Sequence, residues 1–216
     1  MKIVIDGNIG AGKTTQLSLL KRLGARVFKE PIEEWPLKEF YDDPKTGIFA
    51  LQMAVLRTVC DQGPGIYERS LLSSRWVFWE WAKARGLVEH VKTYEYFYDK
   101  HAWSPDLYIY LDKSPEECYL HISGRHQTGD SKITIDYLRE LDSLYKEMHS
   151  RIPCQMHVID ASRKPEEIHT EILHIINNNE HSEVLFCDGS GEEVQKLGDK
   201  RGKMQRASCP NVCRVS

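Results

Sequence analysis

Short apolar runs rich in β-branched residues alternate along the chain with longer segments whose apolar positions recur every three or four residues. Ile3-Val4-Ile5, Arg26-Val27-Phe28-Lys29, Ile66-Tyr67, Leu107-Tyr108-Ile109-Tyr110-Leu111 and Met156-His157-Val158-Ile159 read as five strands. Each is too short for a helix, and a continuous apolar run suits a strand covered on both faces. Between them the periodicity predicts helices over about 14–23, 45–62, 70–85, 88–101, 115–123, 134–150 and 165–177. Gly24 ends the first, and Pro64-Gly65 breaks the second. No hairpin signal joins any two strands. Strand–helix alternation of this kind predicts an α/β domain of three layers, a five-stranded parallel sheet with helices on both faces. The chain contains no internal repeat.

After Asn177-Asn178-Asn179 the pattern stops. Residues 188–206 carry few large apolar groups and cannot bury enough surface to offset their ordering entropy. The expectation is one domain over 1–178 and a polar, mobile tail over 179–216, whose basic cluster from Lys196 to Arg206 reads as a solvated end. A length of 216 residues suits a single well-buried domain. A net charge of -3 gives no electrostatic case for binding nucleic acid. No apolar run is long enough to span a membrane, and the amino terminus runs directly into a strand, so a soluble, cytoplasmic protein without a signal or transit segment is expected. Of the six cysteines, Cys60, Cys118 and Cys154 lack paired spacing and read as reduced thiols. Cys187 stands alone, and Cys209 and Cys213 form a C-x-x-x-C without further ligands nearby, which does not predict a metal site.

The first chemistry-bearing motif is Gly7-Asn8-Ile9-Gly10-Ala11-Gly12-Lys13-Thr14, followed by Thr15. It fits G-x-x-x-x-G-K-[ST], with a buried strand before it and a helix after it. Glycines let the backbone curl so that its N–H groups point inward at phosphate oxygens, and the helix N-terminus adds partial positive charge. Lys13 is placed to reach the β- and γ-phosphates, and the Thr14 hydroxyl to bind Mg²⁺. The fold expected is therefore of the P-loop NTPase type, with ATP as the ligand.

The loop does not say where the phosphate goes. In open α/β sheets the reacting groups lie at the carboxyl ends of strands. Glu30 follows the second strand and Glu68-Arg69-Ser70 the third, so both face the crevice of the loop. A carboxylate there can take the proton of an attacking hydroxyl, and an arginine can stabilise charge on the transferred group. By residue type alone, Glu30 as a surface acid and Glu68-Arg69 as a structural ion pair remain open.

An ordered set of motifs narrows this. The chain carries G-N-I-G-A-G-K-T-T, E-P-I-E-E-W, Y-D-D-P followed by F-A-L-Q, E-R-S-L-L-S-S-R and I-Y-L-D-K-S-P-E-E-C. In this order and spacing it resembles the deoxynucleoside kinase family, the group of mitochondrial thymidine kinase, deoxycytidine kinase and the insect multisubstrate enzyme, over about residues 1–178. The resemblance implies that Glu30 is the base acting on the sugar 5′-hydroxyl and that Trp35 is a wall of the nucleoside pocket. It implies that Arg69 holds the 5′ end, that Glu68 joins Thr14 at Mg²⁺, that Tyr41 binds the 3′-hydroxyl, that Gln52 pairs with the base edge and that Phe78 stacks on the base. A planar amide suits the pairing, having both donor and acceptor. It also implies a homodimer and inhibition by an end-product triphosphate.

On a helix, Gln52, Val55 and Val59 share a face, while Arg57 lies about 140° from Gln52 and points away. In the family's deoxycytidine-preferring enzyme the positions of Val55, Val59 and Ser74 carry Ala, Arg and Asp, and thymidine-accepting members carry apolar or small groups. The resemblance thus leans to thymidine, with deoxycytidine tolerated. The family's arginine-rich lid is thinned: His121, Arg125 and Gln127 fall on three of its arginine positions, leaving Arg125 as the phosphate-contacting arginine. Asp130 falls on an acid that contacts the 3′-hydroxyl, and Asp6 stands where the family usually has Glu, read as a minor change. Two other readings stay open: a nucleoside monophosphate kinase, such as thymidylate kinase, which carries Asp-Arg where this chain has Glu68-Arg69, and a non-catalytic subunit of the same fold.

Overall fold

The computed structural model describes residues 1–125 and 130–179. Residues 180–216 of the expected tail and Gln127 of the lid therefore lie outside the described residues, as do Cys187, Cys209 and Cys213. Five strands form one parallel sheet: β1 (Lys2–Gly7), β2 (Val27–Phe28), β3 (Gly65–Glu68), β4 (Leu107–Asp112) and β5 (Gln155–Asp160), in the order β2-β3-β1-β4-β5. The side-chain alternation of a strand sorts the core into two layers. Ile3, Ile5, Leu107, Ile109 and Leu111 pack on one face, against α1 (Lys13–Arg22) and α9 (Pro165–Asn178). Val4, Tyr67, Tyr108 and Tyr110 pack on the other, against α3 (Pro44–Thr58), α6 (Val91–His101) and α8 (Ile135–Met148). One face of the sheet is aliphatic and the other carries tyrosines, whose hydroxyls later matter at the site.

Helix α7 (Pro115–Ser123) begins on a Ser114 cap and seats against the glycine loop. A Cβ at Gly10, whose φ is 86°, would stand 2.5 Å from the Cys118 carbonyl oxygen, so only glycine lets the two elements approach this closely. Cys60, Cys118 and Cys154 are free thiols. No helix among the described residues is long and apolar enough to cross a membrane.

The structure departs from the expected elements in five places. The helix expected over 45–62 stops at Thr58, because Trp103 Nε1 takes the Val59 carbonyl at 3.2 Å and Tyr67 bonds Gln62 and Gly63 in the following loop. The helix expected over 70–85 is three pieces: α4 (Leu71–Ser73), a π-helical stretch (Ser74–Trp79) and α5 (Glu80–Ala84). Helix α6 starts at Val91 instead of 88, after His90 adopts a left-handed φ of 55°. A short helix not expected, α2 (Leu37–Asp42), fills the turn between Pro36 and Asp43, too brief to show a period. The second strand keeps two residues instead of four.

Candidate active site

Strand β1 sits in the middle of the sheet, with β3 on one side and β4 on the other. The chain leaves β1 toward one flank and later returns to the other, which opens a crevice at the carboxyl ends of the strands. The glycine loop leaves β1 at this point. Ala11 N donates to Asn8 O at 3.2 Å, and α1 begins at Lys13 after Gly12 in a left-handed conformation. Asn8 pins the loop from outside, donating from Nδ2 to Leu138 O of α8 at 2.8 Å and accepting from Ile9 N at 2.8 Å. Lys13 Nζ lies along the loop, donating to Gly7 O at 2.9 Å and Asn8 O at 2.8 Å. Thr15 also faces the crevice.

The acid and arginine past β2 and β3 meet there. Glu30 Oε2 accepts from Arg69 Nη1 in a close ion pair, both side chains almost fully buried. Glu68 does not pair with Arg69. It accepts from Thr14 Oγ1 at 2.7 Å, setting a carboxylate and a hydroxyl side by side. Arg69 adopts a left-handed φ of 60°, a costly conformation for a non-glycine residue that surrounding bonds must hold. Those bonds come from Gly7 O at 3.3 Å, Tyr145 Oη at 3.1 Å and Asp6 Oδ1 at 3.5 Å. Asp6 is wholly buried. It accepts from Gly7 N, Tyr108 Oη and Tyr145 Oη, so it is the hub that fixes Arg69 from behind.

Burial pushes the Glu30 carboxyl up to about 7, with the Arg69 charge opposing the rise. Burial, and then Arg69, bring the Lys13 ammonium down to about 8. The site therefore pairs an acid group and a basic group that both titrate near neutrality.

From the glycine loop a cavity of about 530 Å³ runs beneath α3. Its far part is lined by Trp35, Tyr41, Gln52, Val55, Val59, Ser74 and Phe78, the seven residues singled out from the sequence there. Trp35 is braced by its Nε1 donating to Thr58 Oγ1 at 2.8 Å. Burial, and then Asp130, push the Tyr41 phenol up to about 12, so it keeps its proton. Arg57 points away, exposed and paired with Glu34 at 3.3 Å. Phe78 lies under the Arg69 guanidinium at 5.3 Å, linking the two ends of the cavity. At the lid edge, Arg125 forms a two-pronged pair with Asp130 at 3.0 and 3.1 Å, and His121 Nδ1 meets Gly10 O at 3.2 Å. Arg125, Asp130 and His121 all line the cavity. Sequence reasoning missed Tyr108 and Tyr145, which donate to Asp6, and Tyr137, which lines the cavity, and it undervalued Asp6. Read as a minor change, Asp6 is in fact the hub on which Arg69 rests.

A phosphate loop, an acid–arginine pair and an apolar pocket with one buried amide thus share one crevice. The family model for deoxynucleoside kinases matches residues 3–183. The chain belongs to the deoxynucleoside kinase family. The thymidine kinase of Ictalurid herpesvirus 1 (strain Auburn) is 30% identical over 193 residues, 80% of this chain and 84% of that protein. Mitochondrial thymidine kinase 2 of Homo sapiens is 29% identical over 170 residues, 67% of this chain and 63% of that protein. Among solved structures, a deoxyadenosine kinase from M. mycoides with dCMP and dCDP bound shares the fold at a TM-score of 0.73 and 29% identity, covering 82% of this chain and 98% of that one. The fold is that of the P-loop NTPases, and the family is one of phosphotransferases. The members named here differ in the nucleoside of their names.

Proposed function

We propose that residues 1–178 transfer the γ-phosphate of ATP to the 5′-hydroxyl of a deoxynucleoside in nucleotide salvage, with thymidine preferred and deoxycytidine tolerated. The observation that carries this reading is the Glu30–Arg69 pair, set between the phosphate loop and the nucleoside-sized pocket. The glycine loop and Lys13 receive the triphosphate. Glu30 takes the proton of the 5′-hydroxyl as its oxygen attacks the γ-phosphorus in line, and ADP leaves. Lys13, Arg69 and, from the lid, Arg125 balance the charge on the transferred group.

The Thr14 hydroxyl and the Glu68 carboxylate are hard oxygen donors beside the loop and would hold Mg²⁺. When bound, that ion neutralises charge on the phosphate oxygens. In the pocket, Gln52 meets the base edge, Phe78 stacks on the base, Tyr41 and Asp130 meet the 3′-hydroxyl, and Trp35 closes one wall. Val55, Val59 and Ser74 put no charge near the base, which leaves room for the thymine methyl. One methyl is worth about 1–3 kcal/mol in such a pocket, so its absence alone does not exclude deoxycytidine. The reading includes a homodimer, checked by sedimentation equilibrium.

The experiment that tests it supplies labelled ATP and Mg²⁺ with thymidine, deoxycytidine, deoxyadenosine or thymidine monophosphate. Formation of 5′-monophosphate, thymidine ahead of deoxycytidine, is the result expected. Deoxyadenosine ahead would discard the thymidine preference. Phosphorylation of the monophosphate alone would make the chain a nucleoside monophosphate kinase in activity.

A further inference from the structure

Behind the amide of Gln52 stands a short chain of hydroxyl groups that the reaction does not use. Ser74 Oγ donates to Gln52 Oε1 at 2.6 Å, and Tyr94 Oη lies 3.3 Å from Ser74 Oγ. Gln52, Ser74 and Tyr94 are all buried. Gln52 and Ser74 line the cavity, whereas Tyr94 stands behind them on α6, its ring stacked on Trp79 at 4.0 Å between centroids. Burial raises the Tyr94 phenol well above its ordinary value, so it keeps its proton.

The donor inventory gives this chain a direction. Tyr94 has one proton, and Ser74 Oγ is the only hydrogen-bond partner of its oxygen among the described residues. A buried hydroxyl left without an acceptor is costly, so Tyr94 donates to Ser74. Ser74 also has one proton, and it goes to Gln52 Oε1. An amide turned end over end would bring Nε2 to Ser74 instead. Ser74 would then accept from the amide, and either its own proton or that of Tyr94 would be stranded in the core. The observed orientation alone satisfies every hydroxyl.

We propose that Tyr94 and Ser74 form a one-way hydrogen-bond relay that locks the Gln52 amide, and are positioning residues that set which base edge the enzyme accepts. This rests on the reading above that Gln52 meets the base. A 4-oxo pyrimidine offers a donor at N3 beside an acceptor at the 4-position, and a 4-amino pyrimidine offers the reverse. A freely turning amide satisfies both, whereas a locked one satisfies one order and opposes the other. The lock therefore supplies discrimination that the uncharged walls of Val55 and Val59 do not.

The test compares 2′-deoxyuridine with 2′-deoxycytidine, which lack the methyl difference and differ only in this edge. Their kcat/KM ratio is measured for the full chain, Tyr94→Phe and Ser74→Ala, with thermal unfolding as a check on folding. Tyr94→Phe keeps the ring against Trp79, and Ser74→Ala breaks the same relay from the other side. The unsubstituted protein is expected to favour one nucleoside, and the ratio to move toward one by about tenfold in each variant, the scale of one net hydrogen bond. A ratio already near one in the unsubstituted protein overturns the lock. So does an unchanged ratio in either variant, or an equal loss of rate with both nucleosides, which marks a purely structural role. Turnover of nucleosides with an unmoved ratio removes the relay alone. Turnover of neither nucleoside by the unsubstituted protein removes the site reading and the relay together.

Discussion

Glu30 owes its chemistry to its surroundings, since a solvated glutamate is too weak a base to take a proton from a hydroxyl. Burial lifts it to about 7, and burial with Arg69 lowers Lys13 to about 8. On the proposed mechanism Glu30 acts as the carboxylate, so activity should rise with pH through about 7. On the same mechanism Lys13 holds phosphate as the ammonium, so activity should fall as pH passes about 8. The expected kcat/KM profile is a narrow bell with its maximum between those values, and a profile flat from about pH 6 to about 9 would refute the pairing. Arg69 makes a second test. Tyr145→Phe removes its bonds to Arg69 and Asp6 and should lower kcat roughly tenfold while leaving the KM for ATP within about twofold. An unchanged kcat would show that Arg69 holds its left-handed backbone without that hydroxyl. Glu30, Arg69, Lys13 and Thr14 were legible in the sequence because each sits inside a short motif. Asp6, Tyr108 and Tyr145 were not. Tyr108 and Tyr145 lie 102 and 139 positions from Asp6, and in a strand or helix pattern a buried tyrosine looks like any other apolar core residue.

Among the elements, the strands were legible and the helix boundaries less so. Five β-branched or aromatic runs gave five strands, because a strand covered on both faces must be apolar throughout. The π-helical stretch left no such mark: one extra residue in a turn rotates the face without changing the apolar composition. It shapes the cavity, since Ser74 and Phe78 on that stretch both line it. The corner of α2 and α3 was also invisible, although it carries Tyr41. A Cβ at Gly47 would stand 2.4 Å from Phe40 Cα and 2.7 Å from Phe40 N, so the two helices cross backbone to backbone. Gly47→Ala should cost about 1–3 kcal/mol and raise the nucleoside KM by displacing Tyr41. Unfolding and KM values equal to those of the unsubstituted protein would show that the corner yields freely.

For the whole molecule, the parallel sheet gathers the ends of β1, β2 and β3 so that residues far apart in the chain line one cavity of about 530 Å³. The folded state alone possesses that cavity, so a ligand that fills it stabilises the fold. Thymidine at a hundredfold excess over its Kd should add about 2.7 kcal/mol, or roughly 5–10 °C in Tm. No shift with thymidine, beside a shift with ATP, would confine the ligand to the phosphate end. The central claim is that Glu30 is the base on a nucleoside hydroxyl, and the kinetics of Glu30→Gln test it most directly. With thymidine and ATP-Mg²⁺, the variant should lose at least roughly a hundredfold in kcat while its thymidine KM stays within about threefold. A kcat within about threefold of the unsubstituted enzyme would contradict the account and return Glu30 to a structural partner of Arg69.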